Sequence, residues 1–417
     1  MTNRPDADVI IAGAGMAGVT LALALESAGL KTIMVDPQTF DTQTAPEFDG
    51  RASAISFAAF RQWRALGAAS FLEPHAQRIE QILVTDGRAP GRGAGPAMPA
   101  FLRFDAAEIA DRTQGEALGY MLENRHIRSG LAQAAVRADL AVLAPERVVS
   151  VEVTPGEARV SLAGGRVLRA PLVVGADGRG SLVRREAGIG TMGWSYGHTA
   201  VVATVELEQD HQGVAYEHFL PSGPFAILPL TGRRASLVWT ENARHAAALK
   251  SARQEMFDAY LRRRFGDFLG RVEAKGARFT YPLSLQLADR VTAPRIALIG
   301  DAAHGIHPIA GQGLNMGLKD VAALAQVLVE AIRLGEDIGG EGVLKRYARW
   351  RSVDNIGVTL ATDVFTRLFS NDNPLLRAVR GAGMALVNQI DPARRFFMGE
   401  AGGAVGDLPR LLRGEAI

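Results

Sequence analysis

The sequence predicts an α/β fold in which a parallel sheet is interrupted by an inserted antiparallel sheet and followed by a helical C-terminal region. Three observations support this prediction. An apolar run at residues 8–12 leads into the glycine-rich segment G-A-G-M-A-G at 13–18. Strand-like runs separated by short turns follow one another between 198 and 241, a pattern typical of antiparallel sheets. A second glycine-rich segment, which includes G-D-A-A-H and G-Q-G-L-N, occupies residues 300–321.

The first glycine-rich segment has the spacing of a βαβ unit that binds a pyrophosphate. A strand that ends at such a turn aims backbone N–H groups and a helix start at one point, where negative charge is stabilised. Asp36 follows the second predicted strand, as expected for a carboxylate that accepts ribose hydroxyl bonds and disfavours a 2′-phosphate. This pattern favours FAD or NAD over NADP, and a glycine-rich turn without a ligand is the alternative. The predicted cofactor contacts here are Gly13, Gly15, Met16, Ala17, Gly18 and Asp36.

A second candidate site lies in V-V-G-A-D-G-R-G-S-L-V-R-R at residues 173–185, where a predicted buried strand ends before a short turn and a helix. Asp177 in this turn can serve a ligand. It can equally accept backbone N–H bonds in an Asx-turn, which is common beside glycine. From the residues alone both interpretations stay open.

The third candidate site begins where a predicted strand at 295–299 delivers Asp301 to its C-terminal end, the usual ligand edge of a parallel sheet. Pro308 comes next, and a helix follows whose first N–H groups can stabilise negative charge on a reduced flavin ring. The residues that open this helix are Gly311, Gln312 and Gly313. His304 and His307 form a weak metal site at best, since one aspartate and no further ligand cluster accompanies them.

Two arginines are additional candidates. Arg51, in D-G-R-A-S-A-I-S at 49–56, can reach a phosphate or a flavin edge. Arg125, in E-N-R-H-I-R-S-G-L at 123–131, begins a predicted helix. For an isolated arginine in either setting, a solvated side chain is the default interpretation.

The order of these elements predicts a discontinuous domain organisation. Residues 1–75, 100–181 and 285–335 form the Rossmann-like domain, 182–284 form an inserted mixed α+β substrate domain, and 336–417 form the helical C-terminal region. At 417 residues the chain is long enough for two sizeable cores.

Composition excludes several kinds of chemistry. The sequence has no cysteine, so disulfides, thiolate metal sites, iron–sulfur clusters and a cysteinyl flavin bond are excluded, and a bound molecule must carry any redox chemistry. The net charge of +2 is too small to indicate nucleic-acid binding. No apolar run reaches about 18 residues, and the N-terminus lacks the features of a signal peptide, so we expect a cytoplasmic protein without a spanning helix.

Together these segments resemble the class A flavin monooxygenases that hydroxylate aromatic rings, and in particular their ubiquinone-biosynthesis hydroxylase branch. The resemblance covers nearly the whole chain. H-P-I-A-G-Q-G-L-N-M-G-L-K-D is a specific signature of that branch, and D-G-R-A-S-A-I-S and the ending F-M-G-E-A-G-G-A-V-G-D-L-P-R-L-L-R-G are also similar to it. The resemblance implies a glutathione-reductase-like FAD-binding fold.

The resemblance also implies roles for individual residues. Asp36 would hold the adenosine ribose, and Arg51 and Arg125 would contact FAD around the pyrophosphate or the flavin. Asp177 would lie in the FAD and NAD(P)H region, and Asp301 would hold the ribityl chain or the pyrophosphate. The residues that would line the flavin ring are Pro308, Gly311, Gln312, Gly313, Leu314 and Asn315.

The implied reaction is hydroxylation of the aromatic ring of a prenylated phenol in ubiquinone biosynthesis. Noncovalent FAD, reduced by NAD(P)H, would react with O₂ to a flavin hydroperoxide that transfers OH to the ring, with no side-chain acid or base and no metal. The lipid substrate implies association with other quinone-synthesis proteins and peripheral contact with the inner face of the membrane, but no nucleic acid. The ring carbon, the tail length and the choice between NADH and NADPH are not fixed by the sequence.

Three alternatives stay open at this point. A related flavoenzyme, such as a lipid reductase or epoxidase, would share the FAD motifs. An NAD-linked dehydrogenase would leave the segment at 300–320 unexplained. A non-catalytic member of a quinone-synthesis complex would have no need of the intact glycines and Asp301.

Overall fold

Two large sheets organise the molecule, one mainly parallel and one mainly antiparallel. The computed structural model describes residues 4–86, 102–110, 115–220, 223–305, 312–352, 402–403 and 406–417. In chain order the strands are β1 (Val9–Ala12), β2 (Thr32–Val35), β3 (Ala52–Ser56), β4 (Gln77–Ile79), β5 (Gln81–Asp86), β6 (Leu102–Asp105), β7 (Gly119–Glu123), β8 (Ala141–Leu143), β9 (Val148–Val153), β10 (Ala158–Leu162), β11 (Val167–Ala170), β12 (Leu172–Gly175), β13 (Thr191–Leu207), β14 (Val214–Leu220), β15 (Gly223–Leu230), β16 (Arg234–Asn242), β17 (Val272–Ala288), β18 (Thr292–Ala293), β19 (Ile296–Leu298) and β20 (His304–Gly305). The helices are α1 (Met16–Ser27), α2 (Phe40–Thr44), α3 (Phe57–Ala65), α4 (Ala69–Leu72), α5 (Asn124–Arg137), α6 (Leu182–Glu186), α7 (Ala243–Ser251), α8 (Gln254–Phe265) and α9 (Gln312–Arg333).

The first sheet has six strands in the order β18-β19-β12-β1-β2-β8. β1 lies at its centre and pairs in parallel with β2 and β12, while β12 pairs in parallel with β19. Every residue of β1, β2 and β12 is buried, as expected for parallel strands covered on both faces. This arrangement confirms the predicted α/β class and brings the C-terminal ends of β1, β12 and β19 to the same edge.

The second sheet has eight strands in the order β20-β17-β13-β16-β15-β14-β5-β6. Its central strands are antiparallel, and β14 pairs in parallel with β5. Since β5 and β6 precede residue 182, the sheet also contains strands from outside the predicted insertion. The domain boundaries proposed from the sequence stay a prediction.

The two faces of this sheet pack against different parts of the molecule. On one face Phe225 and Trp239 pack with Phe257 and Phe265 of α8 in a separate core. On the other face Ala215 of β14 and Leu230 of β15 belong to the main core, together with residues of α1, α3 and α9. The second face is therefore turned toward the domain that carries the glycine-rich turns.

The apolar periodicity of 246–265 predicts one helix, but the structure has two, α7 and α8. Ala252 between them is extended, with ψ of 145°. The Arg278 side chain donates hydrogen bonds to the carbonyls of Leu249 and Ala252. These bonds supply partners to carbonyls that a continuing helix would satisfy internally, which a pattern of apolar residues does not reveal.

The C-terminal region is helical where the structure describes it at 341–352, as predicted. The apolar periodicity predicts helix over 341–389 with a break at Asn373-Pro374. The part of this prediction beyond residue 352 lies outside the described residues. Two small three-stranded sheets, β11-β10-β9 and β3-β7-β4, complete the strands.

Candidate FAD site

The turn after β1 is built for close approach of a ligand. Gly13 has φ of +107°, and a Cβ there would lie 2.4 Å from the carbonyl oxygen of Ala176. A Cβ at Gly18 would lie 2.0 Å from the carbonyl oxygen of Gly13. At Gly15, in contrast, a Cβ would meet no protein atom within 4 Å, and no side chain caps α1. The start of α1, at Gly15, Met16 and Ala17, is therefore partly open, with backbone N–H groups available to an anion.

Asp36 ties this turn to the end of β2. One carboxylate oxygen accepts a hydrogen bond from the Ala14 N–H at 2.7 Å, and the other accepts one from the Gln38 N–H at 2.8 Å. Burial raises the pKa of Asp36, and the two N–H donors only partly oppose this effect. Each oxygen keeps a further lone pair, so the structural role is compatible with the predicted ribose contact.

The two glycine-rich segments, distant in sequence, meet in the structure. A Cβ at Gly300 would lie 3.5 Å from the Cβ of Ala17, and a Cβ at Gly317 would lie 3.1 Å from the Cα of Gly300. Gly300 has φ of +57°, which favours glycine. The start of α1, the turn after β19 and the first turns of α9 thus pack directly on one another. This contact joins the two predicted halves of the site.

Asp301 and Arg51 lie at the open side of this junction. Asp301 is exposed, and the Arg51 side chain is 47% exposed. Partial desolvation opposes the charge of Arg51, but the Asp49 carboxylate and, more weakly, Tyr281 and Asp301 raise the pKa of Arg51 above its ordinary value. The predicted ligand residues Arg51 and Asp301 are therefore close enough for their charges to interact.

Asp49 is the buried carboxylate that orients this arginine. It accepts hydrogen bonds from Arg51 Nε at 2.9 Å, Asn124 Nδ2 at 2.9 Å and Arg128 at 3.0 Å, and the Tyr281 hydroxyl lies at 3.3 Å. Burial alone would raise the pKa of Asp49, but the hydrogen bonds and charge of Arg51, with the Asn124 bond, hold it well below its usual range. No sequence pattern distinguishes Asp49 as the partner of Arg51, although it stands two residues before it.

Asp177 orders its turn, as one of the two interpretations of its sequence predicts, and keeps one oxygen available for a ligand. One carboxylate oxygen accepts hydrogen bonds from the N–H groups of Leu182 at 2.7 Å and Val183 at 3.3 Å, and so orders the turn before α6. The other oxygen, Oδ1, is buried and has no hydrogen-bond partner among the described residues. A buried carboxylate oxygen without a partner is costly, and a bound polar group would satisfy it.

Arg125 lies in the first turn of α5, next to the end of β7. Its guanidinium pairs with Glu123 at 3.1 Å, while its Nε is buried without a described partner. Glu123 also pairs with His126 and Arg234. The hydrogen bond from His126, together with the charges of Arg125 and Arg234, lowers the pKa of Glu123 to about 2. The contact of Arg125 with FAD stays a prediction.

The helix predicted to line the flavin begins at Gln312, and Gly313 and Leu314 are partly exposed in its first turn. Asn315 accepts a hydrogen bond from the Ser56 N–H at 3.0 Å and donates one to the Ala54 carbonyl at 2.8 Å, which fastens the helix to β3. Pro308 and Gly311 lie outside the described residues, as does the side chain of Gln312.

A buried charge network behind the junction was missed by the sequence analysis. Asp320 of α9 accepts the Gly300 N–H at 2.9 Å, contacts His304 Nε2 at 2.6 Å and accepts Arg351 Nε at 2.7 Å. All three side chains are at most 2% exposed. Burial would raise the pKa of Asp320, but the charges of His304 and Arg351 outweigh it and lower that pKa. His304, considered above as a metal ligand, is thus the partner of a carboxylate.

Two further arginines fix the Asp177 turn. Arg184 donates to the carbonyls of Ala302 at 2.9 Å and Arg179 at 2.7 Å. Arg179 donates to the carbonyls of Ser284 and Gly305, each at 2.8 Å. These bonds connect β12, β17 and the turn after β19 around one site. A local pattern gives no signal for such long-range contacts.

The donor set fits FAD. An uncapped helix start suits a pyrophosphate, a carboxylate after β2 suits a ribose, and a second helix start beside Gly300 suits the flavin end. The matching family model, described as an FAD binding domain, spans residues 6–353.

The chain belongs to this FAD-binding family.

Relatives of this flavin monooxygenase include hydroxylases of quinone biosynthesis. It is 44% identical over 412 residues to the ubiquinone hydroxylase UbiL of Rhodospirillum rubrum, covering 98% of this chain and 93% of the relative. It is 34% identical over 402 residues to the 3-demethoxyubiquinol 3-hydroxylase of Escherichia coli, covering 95% and 98%. These matches confirm the resemblance inferred from the motifs.

Solved structures confirm the fold. The p-nitrophenol 4-monooxygenase PnpA of Pseudomonas putida superposes with a TM-score of 0.78 at 18% identity, covering 96% of this chain and 99% of that one. HpxO of Klebsiella pneumoniae, solved with FAD and uric acid, gives 0.73 at 15% identity and covers 95% and 96%. In the described part of this flavin monooxygenase, no helix combines the length and apolar character needed to cross a bilayer, and no three His, Asp or Glu side chains cluster as metal ligands.

Proposed function

We propose that this flavin monooxygenase hydroxylates the aromatic ring of a prenylated phenol in ubiquinone biosynthesis. The observation that carries the proposal is the junction of Ala17, Gly300 and Gly317, which joins two helix starts and three strand ends into one site for an extended dinucleotide. The names of the relatives supply the substrate class, since those proteins act on ubiquinone and its precursors.

The residues of the chain would hold the cofactor along its length. The N–H groups at Gly13 to Gly18 would bind the pyrophosphate, and Asp36 the adenosine ribose. Asp301 would hold the ribityl chain, with Arg51 beside it. Bound FAD would supply the electron transfer and the activation of O₂. The chain itself would position the flavin and the phenol, exclude water and stabilise flavin charge with the first N–H groups of α9.

We extend the proposal to the surroundings of the enzyme. Because the substrate is a lipid, we place the protein in the cytoplasm with peripheral contact to the inner face of the membrane and to other quinone-synthesis proteins. The residues at 361–370 and 393–398 mix phenylalanine with arginine. Packing against the protein's own core is their default interpretation, and contact with a membrane or a partner is the alternative; both segments lie outside the described residues.

Two measurements test the proposed function. Purified protein should bind FAD without a covalent bond and consume NAD(P)H and O₂ in the presence of a prenylated phenol, with a hydroxylated product in mass spectrometry. Deletion of the gene should cause a quinone precursor to accumulate that lacks one hydroxyl group, and its mass and fragmentation would name the ring carbon. A colourless protein that takes up no FAD would refute the proposal, as would a deletion strain with normal quinone.

A further inference from the structure

Glu217 of β14 lies on the face of the eight-stranded sheet that is turned toward the FAD-binding domain. Directly paired residues of neighbouring strands share a face, and the pairing can be followed across five strands. Phe279 lies at the far end of this row, and its ring packs against Gly50. A Cβ added at Gly50 would lie 2.0 Å from a carbon of the Phe279 ring. The row, from β14 to β17, is Glu217, Ala226, Val238, Val202 and Phe279.

The neighbours on β14 confirm this orientation. Ala215, two residues before Glu217, is buried in the main core with residues of the FAD-binding domain. Tyr216 points the opposite way and packs edge-on against Phe268, with the ring centroids 4.9 Å apart. Side chains alternate along a strand, so Glu217 shares the face of Ala215.

Among the side chains that the structure describes, the neighbours of Glu217 on its face are apolar. Within the described ranges its carboxylate has neither a hydrogen bond nor an ion pair. Ala215, Phe219 and Ala226 around it are buried, yet Glu217 itself keeps partial access to solvent. A molecule that enters between this face and the FAD-binding domain can therefore reach the Glu217 carboxylate.

The row has the polarity of a prenylated phenol. Its middle members are valine and alanine, and four strand spacings of about 4.8 Å give an apolar stretch of roughly 19 Å. The carboxylate stands at one end. The aromatic ring would pack against these apolar residues on the side of the FAD-binding domain, and its hydroxyl would reach the carboxylate.

Asp86 of β5 is paired with Phe219 and so shares the face of Glu217, but its side chain lies outside the described part of the structure. The titratable side chains of this face that the structure describes, Arg234, Arg51 and Tyr281, lie away from Glu217. Arg234, on β16, is paired with Glu123 of β7. Arg51 and Tyr281 are held by Asp49 near the opposite end of the row. None of these groups contacts Glu217, and burial raises its pKa to about 8. An acceptor with this pKa matches a phenol, whose pKa is near 10, far better than an ordinary carboxylate does.

We propose that Glu217 binds the ring hydroxyl of the substrate and acts as the base that accepts its proton. The phenol O–H bond breaks, the proton moves to a carboxylate oxygen of Glu217, and the electron pair stays on the phenol oxygen and enriches the ring. After the ring carbon has gained its oxygen and lost its hydrogen as a proton, the phenol oxygen is protonated again and Glu217 is regenerated. This inference deepens the proposed function and rests on it for the class of substrate.

The test uses the FAD-loaded enzyme, a phenol with a short prenyl chain, and its O-methyl ether. Glu217→Gln keeps an acceptor but cannot take a proton, Glu217→Leu removes both, and Tyr216→Phe is the matched control on the other face of the strand. Wild type and Glu217→Gln should bind the phenol about 10- to 100-fold more tightly than the ether, as expected for a hydrogen bond to this group. Glu217→Leu should lose that preference.

Hydroxylation by Glu217→Gln should fall about 100-fold and lose the rise in rate around pH 8 that the wild type shows. FAD content should be equal in all four proteins. A Glu217→Leu protein that still prefers the phenol overturns the inference, and so does a Glu217→Gln protein with the wild-type rate and pH profile. The binding comparison needs no turnover, so it separates this inference from the proposed function, which fails instead if FAD is not bound.

Discussion

The substitution Asp320→Asn tests whether the buried charge network holds the two halves of the FAD site together. Three donors converge on the two carboxylate oxygens: the Gly300 N–H, His304 and Arg351. An asparagine offers one oxygen and one NH₂ group, so at least one donor would face another donor. Arg351 is 2% exposed and would lose its buried counter-charge. Removing one partner of a buried ion pair costs about 3–5 kcal/mol.

That cost would be a large fraction of the total stability, which is about 5–15 kcal/mol for typical proteins. Urea unfolding of the FAD-free protein, followed by circular dichroism, measures it. The matched control is Glu341→Gln, which removes a partner from the exposed pair of Glu341 and Lys345 and should leave the urea midpoint unchanged. If Asp320→Asn unfolds at the same urea concentration as Glu341→Gln, the network does not stabilise the junction.

Four further substitutions test individual residues of the site. The Cβ of Gly15→Ala would meet no protein atom, so this variant should unfold like wild type but bind FAD more weakly. The Cβ of Gly18→Ala would lie 2.0 Å from the Gly13 carbonyl oxygen, so this variant should lose both stability and FAD affinity. Equal losses of stability in the two variants would contradict the assignment of Gly15 to the ligand side. Asp177→Asn retains an oxygen that can accept the N–H bonds of the turn, so we expect the urea midpoint of wild type and an FAD affinity about 10-fold weaker. An FAD affinity equal to that of wild type would show that Oδ1 does not contact the cofactor. Asp49→Asn should destabilise the protein at pH 7. Because the pKa of Asp49 is lowered in the folded state, the difference in unfolding free energy between this variant and wild type should shrink as the pH falls below about 4. A difference that does not change with pH would argue against an ionised Asp49.

The parts of the site that the sequence predicts are those set by local backbone geometry. Gly13, Gly18 and Asp36 occupy one turn and the tip of the next strand, and their spacing limits where their atoms can be. The turn at Asp177 is equally local, and the structure confirms its turn-ordering bonds, while its contact with a ligand stays a prediction. Such predictions need no knowledge of tertiary packing.

The parts that the sequence does not predict depend on contacts between distant residues. Asp320 lies inside an apolar helix, and nothing around it indicates that His304 and Arg351 become buried beside it. The same holds for Glu217. Side chains on its strand alternate between the two faces of the sheet, but the sequence does not reveal which face meets the FAD-binding domain. The division of 246–265 into two helices likewise depends on hydrogen bonds from Arg278, which lies on β17.

Because the junction of Ala17, Gly300 and Gly317 is at once a packing contact and the centre of the cofactor site, FAD binding and folding must be linked. A ligand that binds only the folded state at 100 times its Kd adds about 2.7 kcal/mol to stability. This gain is smaller than the loss of about 3–5 kcal/mol expected for Asp320→Asn. At 100 times the Kd that this variant itself shows, FAD should therefore restore its urea midpoint only in part, below that of the FAD-free wild type. Full restoration would mean that the loss is no larger than the roughly 2.7 kcal/mol that FAD supplies, and that the buried ion pairs are worth less than the range expected for them.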